Sequence, residues 1–291
     1  MNTQFLVPIT ARDIRTDISG AMTMALLHQQ LAQHRSSVIL IDMQRVSWID
    51  AHLAAMLMII IRHSQARENV VQFVNMAERI SAILQKNGFL AQRRQDNYRT
   101  TMPLIEFHPT AGVEFSHYAR THLRRPEMPS MTDALTGKFY EGIDELFANS
   151  SLHSQTQRQI CVGGQFFPNL ENLSFVIADG GRGIDGAYLA KFGSVIKAHD
   201  AIEWAMQPGN TTRMGDVPGG LGLKLIRSFV EKNGGRLTII SNDGYWCQSG
   251  TRTHRWQMQA PFPGTAVVFE IVTSDRKRYD LGHAPDPRDI W

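Results

Sequence analysis

Apolar and polar positions in the first ninety residues switch between strand-like runs and helix-like stretches. Phe5-Leu-Val-Pro-Ile9 is a short strand candidate, and Ile18 to Gln33, rich in Ala, Met, Leu and Gln, predicts a helix. Ser37-Val-Ile-Leu-Ile-Asp42 is a β-branched run of the kind buried on both faces of a sheet. Asp50 opens an apolar helix, Ala51 to Arg67, and is placed to cap its first turn. Val70-Val-Gln-Phe-Val74 is the next strand, and Ala77 to Lys86 a helix stopped by Asn87-Gly88. Such alternation implies a layered α/β unit with some parallel pairing.

Residues 91–130 interrupt this order with Pro103, Pro109, Pro126 and Pro129, so a domain boundary is expected between about 95 and 105. The second half opens with a helix from Thr132 to about His153, then strands Gln159 to Phe167 and Leu173 to Ala178 around a Pro168-Asn169 turn. Asp179-Gly-Gly-Arg-Gly-Ile184 leads into helical stretches to Met206, a Gly/Thr/Pro-rich segment from Pro208 to Gly222, and a helix from Leu223 to Asn233. Strands Arg236 to Ser241, Arg255 to Gln259 and Ala266 to Val272 complete it. The expected organisation is an α/β unit at 1–95, a linker and connecting segment at 96–130, a second unit at 131–275, and a polar tail at 276–291.

Composition narrows the class. Of 291 residues 43% are hydrophobic and 20% charged, which excludes wholesale disorder and coiled-coil or collagen-like chains. A net charge of +3 is too small to argue for nucleic acid. Two cysteines, Cys161 and Cys247, form neither a metal cluster nor a disulfide framework, which points to a reducing, cytoplasmic setting. The N-terminus shows no signal-peptide pattern. The longest apolar run, Leu53 to Ile61, is far shorter than the ~20 residues of a membrane span, so no membrane partner is expected.

Four segments of the second half carry candidate chemistry. Glu145 and Asn149, spaced i and i+4, share one face of a helix; alone they read as a solvated polar stripe. A buried strand ends in Asp179 and a tight Gly-Gly-Arg-Gly turn, where missing Cβ atoms let backbone approach a ligand; alone it is a glycine turn. Gly219-Gly220-Leu221-Gly222-Leu223 runs straight into a helix, which suits either a phosphate site built on free N–H groups and the helix dipole or a flexible hinge. Gly264-Thr265 precedes the last core strand. Gly181-x-Gly183-x-x-Gly186 also matches a dinucleotide fingerprint, but no second parallel strand follows where that fold requires one, and the match is rejected.

In order and spacing the four together resemble the GHKL superfamily of ATP-binding domains, over roughly residues 130–273. The fold this implies is a Bergerat α/β sandwich with a mixed, mostly antiparallel sheet covered by helices on one face. The resemblance implies ATP and Mg²⁺ as cofactors. Asp179 would accept from the adenine amino group with support from Thr265. Gly181, Gly183 and Ile184 would shape the turn beside it. Asn149 would hold Mg²⁺. Gly219, Gly220, Leu221, Gly222 and Leu223 would cradle phosphate, with Thr211, Thr212 and Arg213 in the same lid. Glu145 would be the base toward water or a serine hydroxyl. The implied function is a slow ATPase acting as a nucleotide-controlled switch for a regulatory partner protein or for self-association. The alternatives are a serine/threonine kinase of the anti-sigma-factor type and a non-catalytic ATP-dependent interaction module. Glu145-x-x-x-Asn149-x-x-x-His153 is similar to the N box of anti-sigma-factor kinases, although a helix-end histidine interacting with the dipole accounts for His153 equally well. An orthodox histidine kinase does not fit, because His199-Asp200 lies downstream of the first glycine box.

Ser37-Val-Ile-Leu-Ile-Asp42, Val46-Ser-Trp-Ile-Asp50-Ala51 and the helix after it resemble the STAS fold of anti-sigma-factor antagonists, over about residues 1–92. In antagonists regulated by phosphorylation a serine usually follows the aspartate; here Ala51 stands there and has no hydroxyl to modify. The unit is therefore expected to dock a partner, or to pack on its own ATP-binding domain, without being phosphorylated at that place.

Overall fold

A computed structural model describes residues 3–153, 159–207, 210 and 221–280, without the side chains at 153, 221 and 222. The chain begins with β1 (Gln4–Pro8), the two-residue β2 (Asp13–Ile14), α1 (Ile18–Leu31), β3 (Val38–Asp42) and the two-residue β4 (Trp48–Ile49). A 3₁₀ turn (Ala51–Leu53), α2 (Ala54–Gln65), β5 (Val70–Val74) and α3 (Glu78–Lys86) follow. β1, β3 and β5 form a parallel sheet in the order β1-β3-β5. Asp17 caps α1, accepting the Gly20 N–H at 2.9 Å.

Asp50 does not cap the helix that follows it. One of its carboxylate oxygens accepts the Thr16 N–H at 2.8 Å and the Thr16 hydroxyl at 3.0 Å, and the other accepts the Trp48 indole N–H at 2.8 Å. With the carboxylate spent on these donors, the Ala51 N–H goes instead to Gln165 Oε1. The β-branched strand also departs from expectation: Ile39 and Ile41 are fully buried, but Val38, Leu40 and Asp42 on its other face are only half-buried.

The rest of the chain is β6 (Thr101–Phe107), α4 (Gly112–Leu123), β7 (Ser130–Met131), α5 (Asp133–His153), β8 (Ile160–Phe167), β9 (Asn172–Asp179), α6 (Gly183–Phe192) and α7 (Ala198–Ala205). Then come α8 (Leu221–Asn233), β10 (Arg236–Ser241), β11 (Gly244–Ser249), β12 (Arg252–Gln257), β13 (Thr265–Val272) and β14 (Arg278–Tyr279). Seven strands make one sheet in the order β12-β11-β10-β13-β9-β8-β6, and every neighbouring pair is antiparallel. A mixed sheet is thus replaced by a wholly antiparallel one, separate from the parallel sheet of the first half. The stretch assigned above to connection supplies β6, an edge strand of this sheet, together with α4. At the tail, β14 pairs in parallel with β7.

Side chains of six of the seven strands alternate between two cores, while β12 is exposed throughout. Phe175, Ile177, Leu237, Ile239, Trp246, Phe269 and Ile271 pack beneath α4, α5, α7 and α8. Cys161, Val176, Ala178, Ile240, Cys247, Ala266 and Val268 face the opposite way, into one continuous core with α1, α2 and the parallel sheet. Helices therefore cover both faces of the large sheet, not one. The second face carries mostly small side chains, which lets α2 settle against β8 and β9. Polar links tie the halves at the rim: Arg62 Nε donates to Glu106 at 2.7 Å, and Arg236 Nη1 to the Thr16 carbonyl at 3.1 Å.

Candidate functional site

β9 ends at Asp179, and Thr265, the first residue of β13, stands opposite it in register. The Asp179 side chain is 2% exposed. Its Oδ1 accepts the Gly181 N–H at 2.9 Å, and the carboxyl also receives the Thr265 backbone N–H and the Ser150 hydroxyl. Burial pushes its pKa up to about 7, against the pull of those three donors. Among the described residues no salt bridge reaches this acid. A buried carboxyl without a counter-charge costs stability, and such groups concentrate where a ligand is met.

The turn around it is built so closely that side chains are excluded. Gly264 has φ +131°, and a Cβ there would lie 2.1 Å from the Asp179 carbonyl oxygen. Gly183 has φ +79°, and its Cβ would lie 2.4 Å from Asn242 Nδ2. Asn242 uses that amide to hold the Arg182 carbonyl at 3.0 Å and Asp185 Oδ1 at 2.7 Å. Ser241 Oγ accepts the Ile184 N–H at 2.8 Å and shares a hydrogen bond of 3.0 Å with Thr265 Oγ1. A polar chain thereby joins the ends of β9, β10 and β13 to the start of α6. Replacing Gly264 by alanine is expected to cost about 1–3 kcal/mol, because strained backbone and a backbone clash coincide. A urea titration should show a lowered midpoint with unchanged slope; an unshifted midpoint would mean that this turn relaxes freely.

α5 supplies the third wall. Ser150 in its last turn reaches Asp179, while Glu145 and Asn149 stand half-buried on neighbouring turns of the same helix. Leu223 and Ile184 are partly buried against the α-helical core. Leu221 and Gly222 form the first turn of α8, and nothing further of them is described. Thr211, Thr212, Arg213, Gly219 and Gly220 lie outside the described residues, as does the His153 side chain. The structure thus gathers Asp179, Gly181, Gly183, Ile184 and Thr265 into one polar cluster touched by α5.

Residues that sequence analysis passed over complete the cluster. Ser150, Ser241 and Asn242 are polar positions at or beside buried element ends, a weak signal when taken singly. His28 and His63 come from the first half. His28 Nδ1–H donates to the Pro261 carbonyl at 2.9 Å and His63 Nε2–H to the Gly180 carbonyl at 3.2 Å, their rings meeting edge-on at 5.7 Å. They brace, from behind, the two turns that carry Asp179 and Thr265. Nothing in the local pattern of either helix announces this.

Among the described residues no group of three His, Cys, Asp or Glu side chains is placed to hold a metal ion. Asn149 offers a hard amide oxygen; a Mg²⁺ here would take its remaining ligands from phosphate and water, as that ion commonly does. β9 is antiparallel to both neighbours, so Gly181-x-Gly183-x-x-Gly186 does not sit in a parallel β-α-β crossover. His199 and Asp200 stand in the first turn of the eight-residue α7, packed beside β11. No described helix is long and apolar enough to cross a membrane. The chain matches no protein-family model, and no curated protein matches its sequence.

Proposed function

We propose that the chain binds ATP at the Asp179 turn and works as a slow, Mg²⁺-dependent ATPase switch of the GHKL kind, its first 95 residues forming a STAS-like unit. The observation that carries this is the buried Asp179 carboxyl at a strand end, without an ion-pair partner among the described residues, held by backbone N–H donors and the Ser150 hydroxyl and set among glycines that leave no room for side chains. An ionised Asp179 accepts the adenine amino group, and Thr265 Oγ1, already bonded to Ser241, lies beside it. The phosphates would extend toward the N-terminus of α8, where free N–H groups and the helix dipole favour negative charge. Asn149 would hold Mg²⁺, whose charge offsets that of the phosphates. Glu145, one turn earlier on the same helix, would orient the attacking hydroxyl or water.

Calorimetric titration with ATP, ADP and GTP in the presence of Mg²⁺ tests this directly. Adenine nucleotides are expected to bind and GTP to bind at least tenfold more weakly, because a carboxylate faces an amino donor in one base and a carbonyl in the other. Equal affinities, or no binding, would overturn the assignment. Labelled ATP then separates the two chemistries: release of phosphate means hydrolysis, and transfer to an added protein means kinase.

Ala51 is fully buried and its N–H is occupied by Gln165 of the large sheet. Phosphopeptide mapping after incubation with ATP is therefore expected to find no stoichiometric phosphate within residues 37–60. Its presence there would restore a phosphoswitch to the first unit.

A further inference from the structure

Away from the Asp179 cluster, α4, the turn after it and the first turns of α5 enclose an open groove of about 470 Å³. That volume falls within the range of ligand sites. Its floor is apolar, with Met128 and Met131 contributing thioethers that adapt to irregular partners. Its walls carry three guanidinium groups, Arg120, Arg124 and Arg125, against one lining carboxylate, Asp133.

The three cations are held differently. Arg120 donates to Asp144 at 3.1 Å and lies over the Tyr140 ring at 5.1 Å. Arg125 faces Glu127 at 3.3 Å and lies over Phe166 at 5.0 Å. Arg124 is exposed and makes no side-chain hydrogen bond or ion pair among the described residues. Asp144 and Glu127 partner Arg120 and Arg125, so Arg124 is the cation that an incoming carboxylate would meet first. Tyr140, nearly buried beneath Arg120, also lines the groove.

We propose that this groove docks an extended acidic segment of a partner protein, its carboxylates meeting Arg120, Arg124 and Arg125 and its apolar side chains resting on Met128 and Met131. A compact inorganic anion would leave that floor without a partner. The location adds a consequence. α5 carries Asp133, Thr136 and Tyr140 in its first half and Ser150, hydrogen-bonded to Asp179, about 15 Å beyond Tyr140. One helix therefore spans the docking groove and the candidate nucleotide site.

The test uses the full chain without nucleotide, so that its outcome is independent of ATP binding. Fluorescein-labelled decapeptides that alternate acidic and apolar residues are titrated by anisotropy beside counterparts with Asn and Gln in place of the acids. The acidic peptides are expected to bind at least tenfold more tightly than their amide counterparts, and to weaken as salt rises. Arg124→Glu, at an exposed side chain without a hydrogen bond or ion pair among the described residues, should lower that affinity tenfold or more. Asp133→Asn should raise it a few-fold. The control Arg252→Glu, on the opposite edge of the sheet, should leave it unchanged. Equal binding of acidic and amide peptides, no effect of Arg124→Glu, or an equal loss from Arg252→Glu would each overturn the proposal, the last by showing diffuse charge attraction. Binding of inorganic sulfate that displaces the acidic peptides completely at equal concentration would also overturn it, since the apolar floor would then contribute nothing.

Discussion

Replacing Asp179 by asparagine is expected to abolish adenine-nucleotide binding and, at pH 8, to leave the folded chain more stable than the native one. The amide keeps the shape and an acceptor for the Gly181 N–H, and the Ser150 hydroxyl can turn to accept from the new amide donor. Recognition fails because the adenine amino group now meets a weaker, half-donating partner, a loss of about a hundredfold or more for a desolvated polar contact. Stability rises for the opposite reason. A carboxyl whose folded pKa lies above its unfolded value favours folding when protonated. That contribution is fully present below the ordinary 3.8 and is lost as pH rises to about 7. The lift between those values corresponds to at most about 4 kcal/mol. The stability gap between variant and native chain should therefore open from pH 4 to 7 and stay level above. Thermal or urea unfolding across that range, paired with calorimetry, checks both halves. A gap that does not change with pH would show that Asp179 is not the buried acid described here; undiminished binding would remove it from the nucleotide site. For the native chain the same linkage makes adenine-nucleotide affinity fall as pH drops through about 7, because the bound base requires the ionised acid.

Glu145→Ala is the second large effect. Phosphate release is expected to fall about 10²–10⁴-fold, the usual contribution of a positioned general base, with nucleotide affinity nearly unchanged. Glu145→Gln, which keeps the side chain's size, should fall as far and guards against a loss caused by altered packing of α5. Single-turnover release of labelled phosphate at saturating ATP measures it. Undiminished release from both variants would take Glu145 out of the mechanism and leave positioning and charge as the whole of any catalysis.

Much of the fold was legible because local rules and tertiary context agreed. The run into Asp179 is buried as expected, and the long helix ending near His153 and the strand expected at Ala266 to Val272 form where the sequence places them. The failures have physical reasons. Pro103 argued against a strand, yet β6 tolerates it because β6 is an edge and its ladder breaks between Met102 and Ile105. There the Leu104 N–H turns to the Asn87 carbonyl at 2.7 Å, and the Pro103 carbonyl accepts from Tyr118. β11 was overlooked although Asn242-Asp243-Gly244 before it carries a hairpin signal. Asp50 looked like a cap, but its donors came from Thr16, far away in sequence.

By itself the sequence determined what depends on neighbours along the chain: where most of the helices and strands run, where glycine turns fall, and that an acid stands at the end of a buried strand. The tertiary structure alone decided what covers what. An unbroken apolar run says that both faces of a strand are buried, but not that α1 and α2 fill one of them, nor that His28 and His63 brace the turns around Asp179. Likewise no local pattern assigns the Ala51 N–H to Gln165, 114 residues later. Such pairings are chosen by the fit of whole surfaces in space, and that fit has no period to read.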